Sequence, residues 1–383
     1  MAVNLSIKTS IFNIFFSYLF GISLFITSLP YFVWDNPLFR YIFQIIIVLL
    51  SVINLQKRNS NSRYILMGIL LCILFYKSIG SSVFTLLSLL SLVFIYLIED
   101  ERKLIFYNAG KKIFAIMFLF SLIVYFLTYW LSVDISYHLA TPLNSMKDGG
   151  YRIYPFLAVY DSSFRFADVR FAGYFDEPGV MGTLSGMFLY CEKYNLRKWE
   201  NIIFFIAGIM SFSFFFLFSS FLFFLVSMPK SKIFIFILMI LGILLFCFKD
   251  TEIVKTLVLD RWQVTSSGQF GGTRSFESFE THYQKMLYSP AVFWGKGTNS
   301  LVSIMDGSST YKSLIYAHGI LWFGVMLLFF CLFALLLIKN HKKNLILYIL
   351  FFGGLIYQRP GIFNAVFFFL LIVMPQKLSQ CNE

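Results

Sequence analysis

A succession of apolar runs along the 383-residue chain constrains its fold more than any other feature. About 20 apolar residues cross a bilayer as a helix, and shorter runs do so where neighbouring helices or a thinner bilayer help. The runs lie at 11–29, 38–55, 64–76, 82–98, 113–131, 176–191, 201–228, 233–248, 314–338, 344–357 and 361–374. With 201–228 counted twice, they predict twelve membrane spans.

The run 201–228 is counted twice because its length is too great for one ordinary span and short for two. Basic clusters flank it on both sides, the first ending at Lys198 and the second beginning at Lys230. Basic loops lie on the cytoplasmic side of a membrane. Two short helices that meet near Phe212-Ser213-Phe214 keep both clusters on that side.

The composition indicates an all-α polytopic membrane protein. Hydrophobic residues make up 58% of the chain and charged residues 13%, against about 25% charged residues in soluble domains. A globule of this size cannot hide so much apolar surface, because much of its surface must face water. A soluble enzyme, a disordered chain and a disulfide-rich module are therefore excluded. We expect a single integral membrane domain over 1–383, with 11–29 as an uncleaved anchor because no signal-peptide cleavage pattern follows it.

The net charge of +12 is an orientation signal. With twelve spans, one side of the membrane carries 17 basic and 6 acidic residues, and the other carries 14 basic and 13 acidic residues. Basic loops stay in the cytoplasm, so both termini are expected there. This uneven distribution explains the basic composition without a nucleic-acid partner.

Two long segments on the other side of the membrane, 132–172 and 249–313, hold most of the polar residues. In the second segment, apolar residues at helical spacing predict an amphipathic helix near 274–289. Thr273 is its expected N-cap and Pro290 its expected stop. We interpret the aromatic stripe of this helix as lying on the bilayer.

Arginines just before a helix N-terminus indicate an anion site at the end of the first segment. Arg165 and Arg170 precede a helix that should begin near Pro178, because proline is favoured in a first helical turn. Helix N–H groups and guanidinium forks together bind phosphate or carboxylate. The same arginines can instead pair with nearby aspartates and anchor the loop, and the local pattern favours neither interpretation.

Two cations of the second segment are candidates for the same site. Arg274 falls in the first turn of the predicted amphipathic helix, where a cation is disfavoured unless an anion is bound. Lys296, in the turn Gly295-Lys296-Gly297, is a weaker candidate. The spans carry almost no charge apart from Lys77 at a helix end and Arg359 in a turn, which argues against a proton-coupled transporter.

Three side chains are candidate general bases. His318 comes first, because it should lie at the outer end of the tenth span, although a structural hydrogen bond is the commoner role of such a histidine. Glu177 comes second, since it is expected chiefly as a helix cap, and His282 comes third. The sequence has neither a Gly-rich nucleotide loop nor an acidic metal cluster, so we expect no cofactor and no metal.

The residues that open the sixth span carry a family resemblance. The run Arg170-x-x-Gly173-x-x-x-Glu177-Pro178-Gly179 resembles the first periplasmic signature of the bacterial O-antigen polymerase and ligase superfamily. Also similar are Arg274 before an amphipathic helix, Pro290, Gly295-Lys296-Gly297, and a span with Gly319 and Gly324. The family's Arg-x15-Gly and Arg-x10-Gly spacings match Arg170…Gly186 and Arg261…Gly272. The resemblance covers the whole layout of about twelve spans and two large periplasmic loops.

The resemblance implies a metal-independent glycosyltransferase of the bacterial inner membrane. Its donor would be a growing glycan on undecaprenyl diphosphate, and an acceptor sugar hydroxyl would attack the anomeric carbon. The implied ligands of the leaving diphosphate are Arg165, Arg170, Arg261, Arg274 and Lys296. His318 or Glu177 would act as the base. Membrane lipid and a chain-length regulator protein are further implied partners.

Four functions remain open at this point. An O-antigen polymerase is favoured over an O-antigen ligase, because the histidine that ligases carry before the span's first glycine is missing around Gly307–Tyr311. A flippase or exporter of lipid-linked sugars would be expected to line a central cavity with charges. A non-catalytic scaffold would leave the loop arginines without a role. The family's Ser-Arg pair is also missing, since Phe221 follows Ser220.

Overall fold

The computed structural model describes residues 11–56, 61–78, 83–140, 150–161, 170–227, 277–303, 310–338, 341–359 and 361–380. The predicted span 233–248 and a large part of the second long segment lie outside the described residues. So do Thr273 and three of the predicted diphosphate ligands, Arg165, Arg261 and Arg274.

The described residues are mostly helical, in agreement with the all-α class. The helices are α1 (Ile11–Thr27), α2 (Pro37–Ile53), α3 (Asn61–Ser78), α4 (Val83–Leu97), α5 (Asp100–Tyr129), α6 (Pro178–Cys191), α7 (Trp199–Met210), α8 (Phe214–Ser227), α9 (Glu277–Leu287), α10 (Ala291–Trp294), α11 (Thr298–Ser303), α12 (Tyr311–Leu337), α13 (Lys342–Gln358) and α14 (Ala365–Gln380). A short 3-10 turn, Tyr31–Val33, precedes α2. The predicted helix start near Pro178 is confirmed.

Among the described helices, α5 and α12 are long and apolar enough to cross a membrane, with 30 and 27 residues. Six further apolar helices have between 10 and 17 residues. These lengths and compositions suggest membrane association. Helix length does not establish twelve spans, so that number stays a prediction.

The run 201–228 folds as two helices. α7 ends at Met210, α8 begins at Phe214, and Phe212 in the turn between them has a positive φ of 46°. The prediction of two short helices meeting at this point is confirmed. α6 packs closely against the turn, because a Cβ atom on Gly182 would lie 2.2 Å from Cβ of Ser213. Small residues permit such close approach between apolar helices.

α6 and α14 form the centre of the helix bundle. Every residue of α6 from Met181 to Cys191 is buried, and so is every residue of α14 from Ala365 to Gln376. Aromatic rings fill the space around them, as where Phe188 of α6 stacks on a ring of α7 at 4.6 Å. Around this centre, many large apolar side chains of α1 and α2 are exposed. A buried centre inside an apolar outer surface suits a bundle surrounded by lipid.

A small antiparallel sheet in the first long segment departs from a purely helical fold. β1 (His138–Ala140), β2 (Gly150–Tyr154) and β3 (Leu157–Asp161) lie in that order. Tyr154 pairs with Leu157, so the β2–β3 hairpin has a two-residue loop, Pro155-Phe156, in which Phe156 has a φ of 67°. The alternation of buried and more exposed residues along β2 is the period-2 pattern of a strand. We call this end of the bundle the sheet end.

Two carboxylates bind the helices together at the opposite end, which we call the ion-pair end. Glu192 after α6 lies 2.6 Å from Nζ of Lys198, 3.0 Å from Nζ of Lys377 and 3.4 Å from Nζ of Lys111. Burial alone would raise the pKa of the Glu192 carboxyl, but these three ammonium groups outweigh it and lower the pKa from 4.5 to about 2.

Asp100, at the start of α5, is the second carboxylate. It pairs with Arg63 of α3 and with Lys103, and it accepts a 2.8 Å hydrogen bond from Nε2 of Gln376. Gln376 stands next to Lys377, which binds Glu192, so α14 joins the two carboxylates. All the charged groups of this end belong to the side that the sequence assigns to the cytoplasm.

The amphipathic helix α9 does not present its aromatic stripe to a bilayer as predicted. Phe279, Tyr283 and Met286 are buried against Ile315 and Tyr316 of α12. An ion pair between Glu280 of α9 and Lys312 of α12, with Nζ 2.7 Å from Oε1, fastens the same contact. The interpretation that the aromatic stripe lies on the bilayer was wrong, because the start of α12 offers a complementary apolar face and a charge partner.

Removing the Glu192 carboxylate should destabilise the bundle, because the buried Lys111 and the partly buried Lys377 would lose their counter-ion. Breaking a buried ion pair from one side costs about 3–5 kcal/mol. We expect Glu192→Ala to lower the melting temperature of the purified protein strongly, while the exposed Glu101→Ala changes it little.

The pH dependence of Glu192→Gln gives a second measurement of the same effect. Because the folded-state pKa is lowered, the stabilisation is present above about pH 4.5 and is lost as the pH falls toward 2. The wild-type and variant melting temperatures should therefore converge in acid. A constant difference over that range would contradict this account.

Candidate functional site at the sheet end of the bundle

Three hydrogen bonds attach the segment before α6 to the sheet and to the turn after α1. The amide of Ala158 on β3 donates to the carbonyl of Gly173 at 2.7 Å, and the hydroxyl of Tyr151 donates to the carbonyl of Asp176 at 2.7 Å. The amide of Tyr31 donates to the carbonyl of Tyr174 at 2.8 Å. The sheet therefore fixes the N-terminus of α6, where the predicted motif residues lie.

Glu177 occupies the N-cap position of α6, but its side chain does not cap the helix. Its carboxylate instead forms an ion pair with Arg359, with Oε2 2.5 Å from Nη2. The Glu177 side chain is 38% exposed and that of Arg359 is 14% exposed. The expected capping role was wrong, since a cation from the α13–α14 connection holds the carboxylate at the rim of the bundle.

Arg170 binds the C-terminal end of α7. Its Nε donates to the carbonyl of Ser211 at 3.2 Å and its Nη2 donates to the carbonyl of Phe212 at 3.4 Å. The amide of the next residue, Phe171, donates to the carbonyl of Met210 at 3.0 Å. The last carbonyls of a helix lack intrahelical partners and carry partial negative charge, so an arginine is favoured there. Arg170 thus donates two of its hydrogen bonds to the α7–α8 turn, a contact that the sequence does not predict.

The turn Gly295-Lys296-Gly297 and a break in α12 form one interlocked unit. Gly319 has φ 83° and ψ 164°, which interrupts the helix. The amide of Lys296 donates to the carbonyl of Tyr316 at 2.8 Å, and the amide of Gly297 donates to the carbonyl of Ala317 at 2.9 Å. The turn therefore satisfies carbonyl groups next to the break in the helix. Two parts of the sequence motif that are separated along the chain meet here.

His318 lies directly before this break and is only 5% exposed. Its ring is 4.5 Å from the ring of Trp322 and 6.4 Å from the ring of Tyr76. The ammonium group of Lys77 lies 6.0 Å from the same Trp322 ring and 4.6 Å from the ring of Phe363. The predicted base is therefore enclosed by aromatic rings beside a cation, within the bundle.

The short α13–α14 connection joins these two groups of residues. It begins with Arg359, which binds Glu177, and four residues later Phe363 lies under Lys77 and contacts the Trp322 ring at 5.7 Å. Four residues of chain span at most about 14 Å. The connection thus links the Glu177–Arg359 ion pair to the group around Lys77 and His318.

Lys77 and Arg359 were not among the sequence-predicted site residues. The sequence does contain a signal for both residues, because a charge at the edge of an apolar run is rare and often functional. Lys296 is exposed and its ammonium group lies 5.5 Å from the Tyr316 ring, in the interlocked turn. His282 is exposed on α9. Within the described part of the chain, no group of three His, Cys, Asp or Glu side chains could hold a metal ion.

Comparison of the chain with protein-family models, with curated proteins and with solved structures found no match. The family resemblance therefore rests on the sequence motifs and the layout of apolar runs. Function has to be argued from the chemistry of the site.

Because the turn packs against the break in α12, we expect substitutions of two α12 glycines to differ in their effect on stability. Gly319→Ala should destabilise the protein, because its φ and ψ are accessible essentially to glycine alone, at a cost of about 1–3 kcal/mol for other residues. A Cβ atom there would also lie 2.2 Å from the carbonyl oxygen of Phe293. Gly324→Ala is the matched control, since open space surrounds that position. Equal melting temperatures for the two purified variants would contradict the interlock.

Proposed function

We propose that the protein is an O-antigen-type polymerase that joins glycan repeat units carried on undecaprenyl diphosphate. The observation that carries this proposal is the placement of Arg170, Arg359, Lys77 and Glu177 at the sheet end of a bundle of apolar helices. Cations at the end of apolar helices suit a substrate whose diphosphate is anionic and whose polyprenyl tail is apolar. The motif resemblance supports the same substrate class.

The proposed setting is a bacterial inner membrane that the chain crosses twelve times, with the sheet end in the periplasm and both termini in the cytoplasm. The ion-pair end supports this orientation, because Arg63, Lys103, Lys111, Lys198 and Lys377 all fall on the side with the larger positive charge. The long apolar helices α5 and α12 support a membrane location.

In the proposed reaction, an acceptor sugar hydroxyl oxygen forms a bond to the anomeric carbon of the donor. The bond from that carbon to the diphosphate oxygen breaks, and undecaprenyl diphosphate leaves with its electron pair. Guanidinium and ammonium groups stabilise the charge that develops on the leaving group. Arg359 and Lys77 join Arg165, Arg170, Arg261, Arg274 and Lys296 as candidates for that role. No metal is required by this scheme.

The acceptor proton needs a base within hydrogen-bond reach, a contribution worth about 10²–10⁴-fold in rate. His318 and Glu177 are the two candidates. We favour Glu177, because its carboxylate is at the rim and 38% exposed, whereas the His318 residue is 5% exposed. Arg359 then has two tasks, since it holds Glu177 and adds positive charge beside the leaving diphosphate.

The surface glycan of cells tests the proposal. Deletion of the gene should remove the ladder of chain lengths on a gel and leave a single repeat unit attached to the lipid core. Arg359→Lys and Glu177→Gln should have the same effect at normal membrane levels of the protein, because Lys replaces the planar fork by a point charge and Gln removes the base. Arg197→Lys, an exposed position at the ion-pair end, is the matched control and should keep the ladder.

Other outcomes identify the alternative functions. Polymer that accumulates on the carrier lipid, with none attached to the core, would indicate a ligase. Single units trapped on the cytoplasmic face would indicate a flippase. A normal ladder from Glu177→Gln with its loss in His318→Ala would transfer the role of base to His318.

A further inference from the structure

An aromatic cleft of about 370 Å³ lies on the sheet. The rings of Tyr31, Tyr137 and Tyr154 line it together with His138 and Ser136. Ligand-binding pockets commonly have about 300–1,000 Å³ and combine aromatic walls with a few polar groups. This cleft has both properties.

Two of the three tyrosine rings are held in place by the fold. Tyr31 stacks on Tyr174 at 5.8 Å with the planes 5° apart, and its hydroxyl accepts a 3.1 Å hydrogen bond from the amide of Phe156. Tyr154 is buried in β2. These contacts hold the two rings in place, so little side-chain conformational freedom is lost on binding.

Tyr137 forms the exposed wall of the cleft. Its ring lies 5.3 Å from the ring of Tyr154 and the guanidinium carbon of Arg152 lies 5.8 Å from its centre. Tyr137 is nevertheless 52% exposed. Tyr137 is therefore positioned by Tyr154 and Arg152 while about half of its surface stays accessible to a ligand.

We propose that this cleft binds a saccharide chain. The inference rests on the proposed polymerase function, in which the acceptor glycan needs a binding site beside the reaction site. The face of an aromatic ring is electronegative and attracts the weakly positive C–H groups on the flat side of a sugar. The hydroxyl of Ser136 and the imidazole of His138 can exchange hydrogen bonds with the sugar hydroxyls. The cleft lies at the sheet end, on the same segment that positions the N-terminus of α6.

The lining favours a saccharide over a lipid tail or an isolated phosphate. A lipid tail binds best in an aliphatic groove, whereas hydroxyl and imidazole groups interrupt the apolar lining of this cleft. A phosphate requires converging cations, whereas the residues that line the cleft include neither lysine nor arginine, and the guanidinium of Arg152 lies against the Tyr137 ring.

Saturation-transfer NMR on the purified full chain in detergent tests the proposal. The probes are cellotriose, maltotriose, chitotriose and the oligosaccharide released by mild acid from the carrier lipid of the same cells. We expect saturation transfer from the protein to at least one of these saccharides. Tyr137→Ala should weaken its binding roughly tenfold, which corresponds to about 1.4 kcal/mol and lies within the range of about 0.5–1.5 kcal/mol for an aromatic contact. Tyr137→Trp should retain binding, because it retains an aromatic face.

Tyr288→Ala is the matched control, because this tyrosine is 91% exposed and lies outside the cleft. Two outcomes would overturn the cleft proposal. One is a saturation-transfer signal that is unchanged in Tyr137→Ala, and the other is the absence of a saturation-transfer signal from every probe with the wild-type protein. The readout does not depend on turnover. If saccharide binding requires Tyr137 but the protein has no polymerase activity, the cleft proposal stands and the proposed function is refuted. If the protein polymerises but does not bind a saccharide in this way, the cleft proposal is refuted and the proposed function stands.

Discussion

The contact of Glu192 with three lysines sets the arrangement on which the rest of the structure depends. Lys111 comes from α5, Lys198 from the residue before α7 and Lys377 from α14, so one carboxylate aligns three parts of the bundle with the end of α6. A carboxylate buried among ammonium groups must keep these partners, because leaving either charge alone would be costly. Alignment at this end determines which helix ends meet at the other.

At the sheet end, this alignment brings charged side chains to the ends of the apolar helices. α6 begins there beside the sheet, α7 ends there on Arg170, and the α13–α14 connection brings Arg359 to Glu177. Each contact has a structural cause of its own, since unpaired helix carbonyls attract a guanidinium and a carboxylate attracts a cation. Their common result is a rim of cations at the end of apolar helices. Such a rim can hold an anionic headgroup while the attached tail stays in lipid.

Much of the helical framework could be predicted from the sequence, because apolar runs and their breaks are local features. The division of 201–228 and the helix start at Pro178 follow from run length and from the preferences of proline. The small sheet was missed, although Gly149-Gly150 and Pro155 mark a hairpin, because its strands are short beside long apolar runs. Its pattern could have been recognised from Tyr151 and Ile153, which alternate with Arg152.

The candidate site was harder to predict, because its contacts join residues that are distant in the sequence. Glu177 and Arg359 are 182 positions apart in the numbering of the chain, and nothing near Glu177 in sequence distinguishes a helix cap from half of an ion pair. Two partners of Arg170 are the backbone carbonyls of Ser211 and Phe212, which leave no side-chain signal in the sequence. The interlock of Gly295 with Gly319 was visible only as two glycines near a predicted span end.

Reconstitution tests the central claim most directly, namely that this chain by itself transfers glycan from one polyprenyl diphosphate carrier to another. Purified protein in proteoliposomes would receive lipid-linked repeat units in the presence of EDTA, and both glycan length and free undecaprenyl diphosphate would be measured. The account predicts a ladder of products with one carrier diphosphate released for each new glycosidic bond. Repeat units that remain single, or that only change membrane face without release of the carrier, would contradict it.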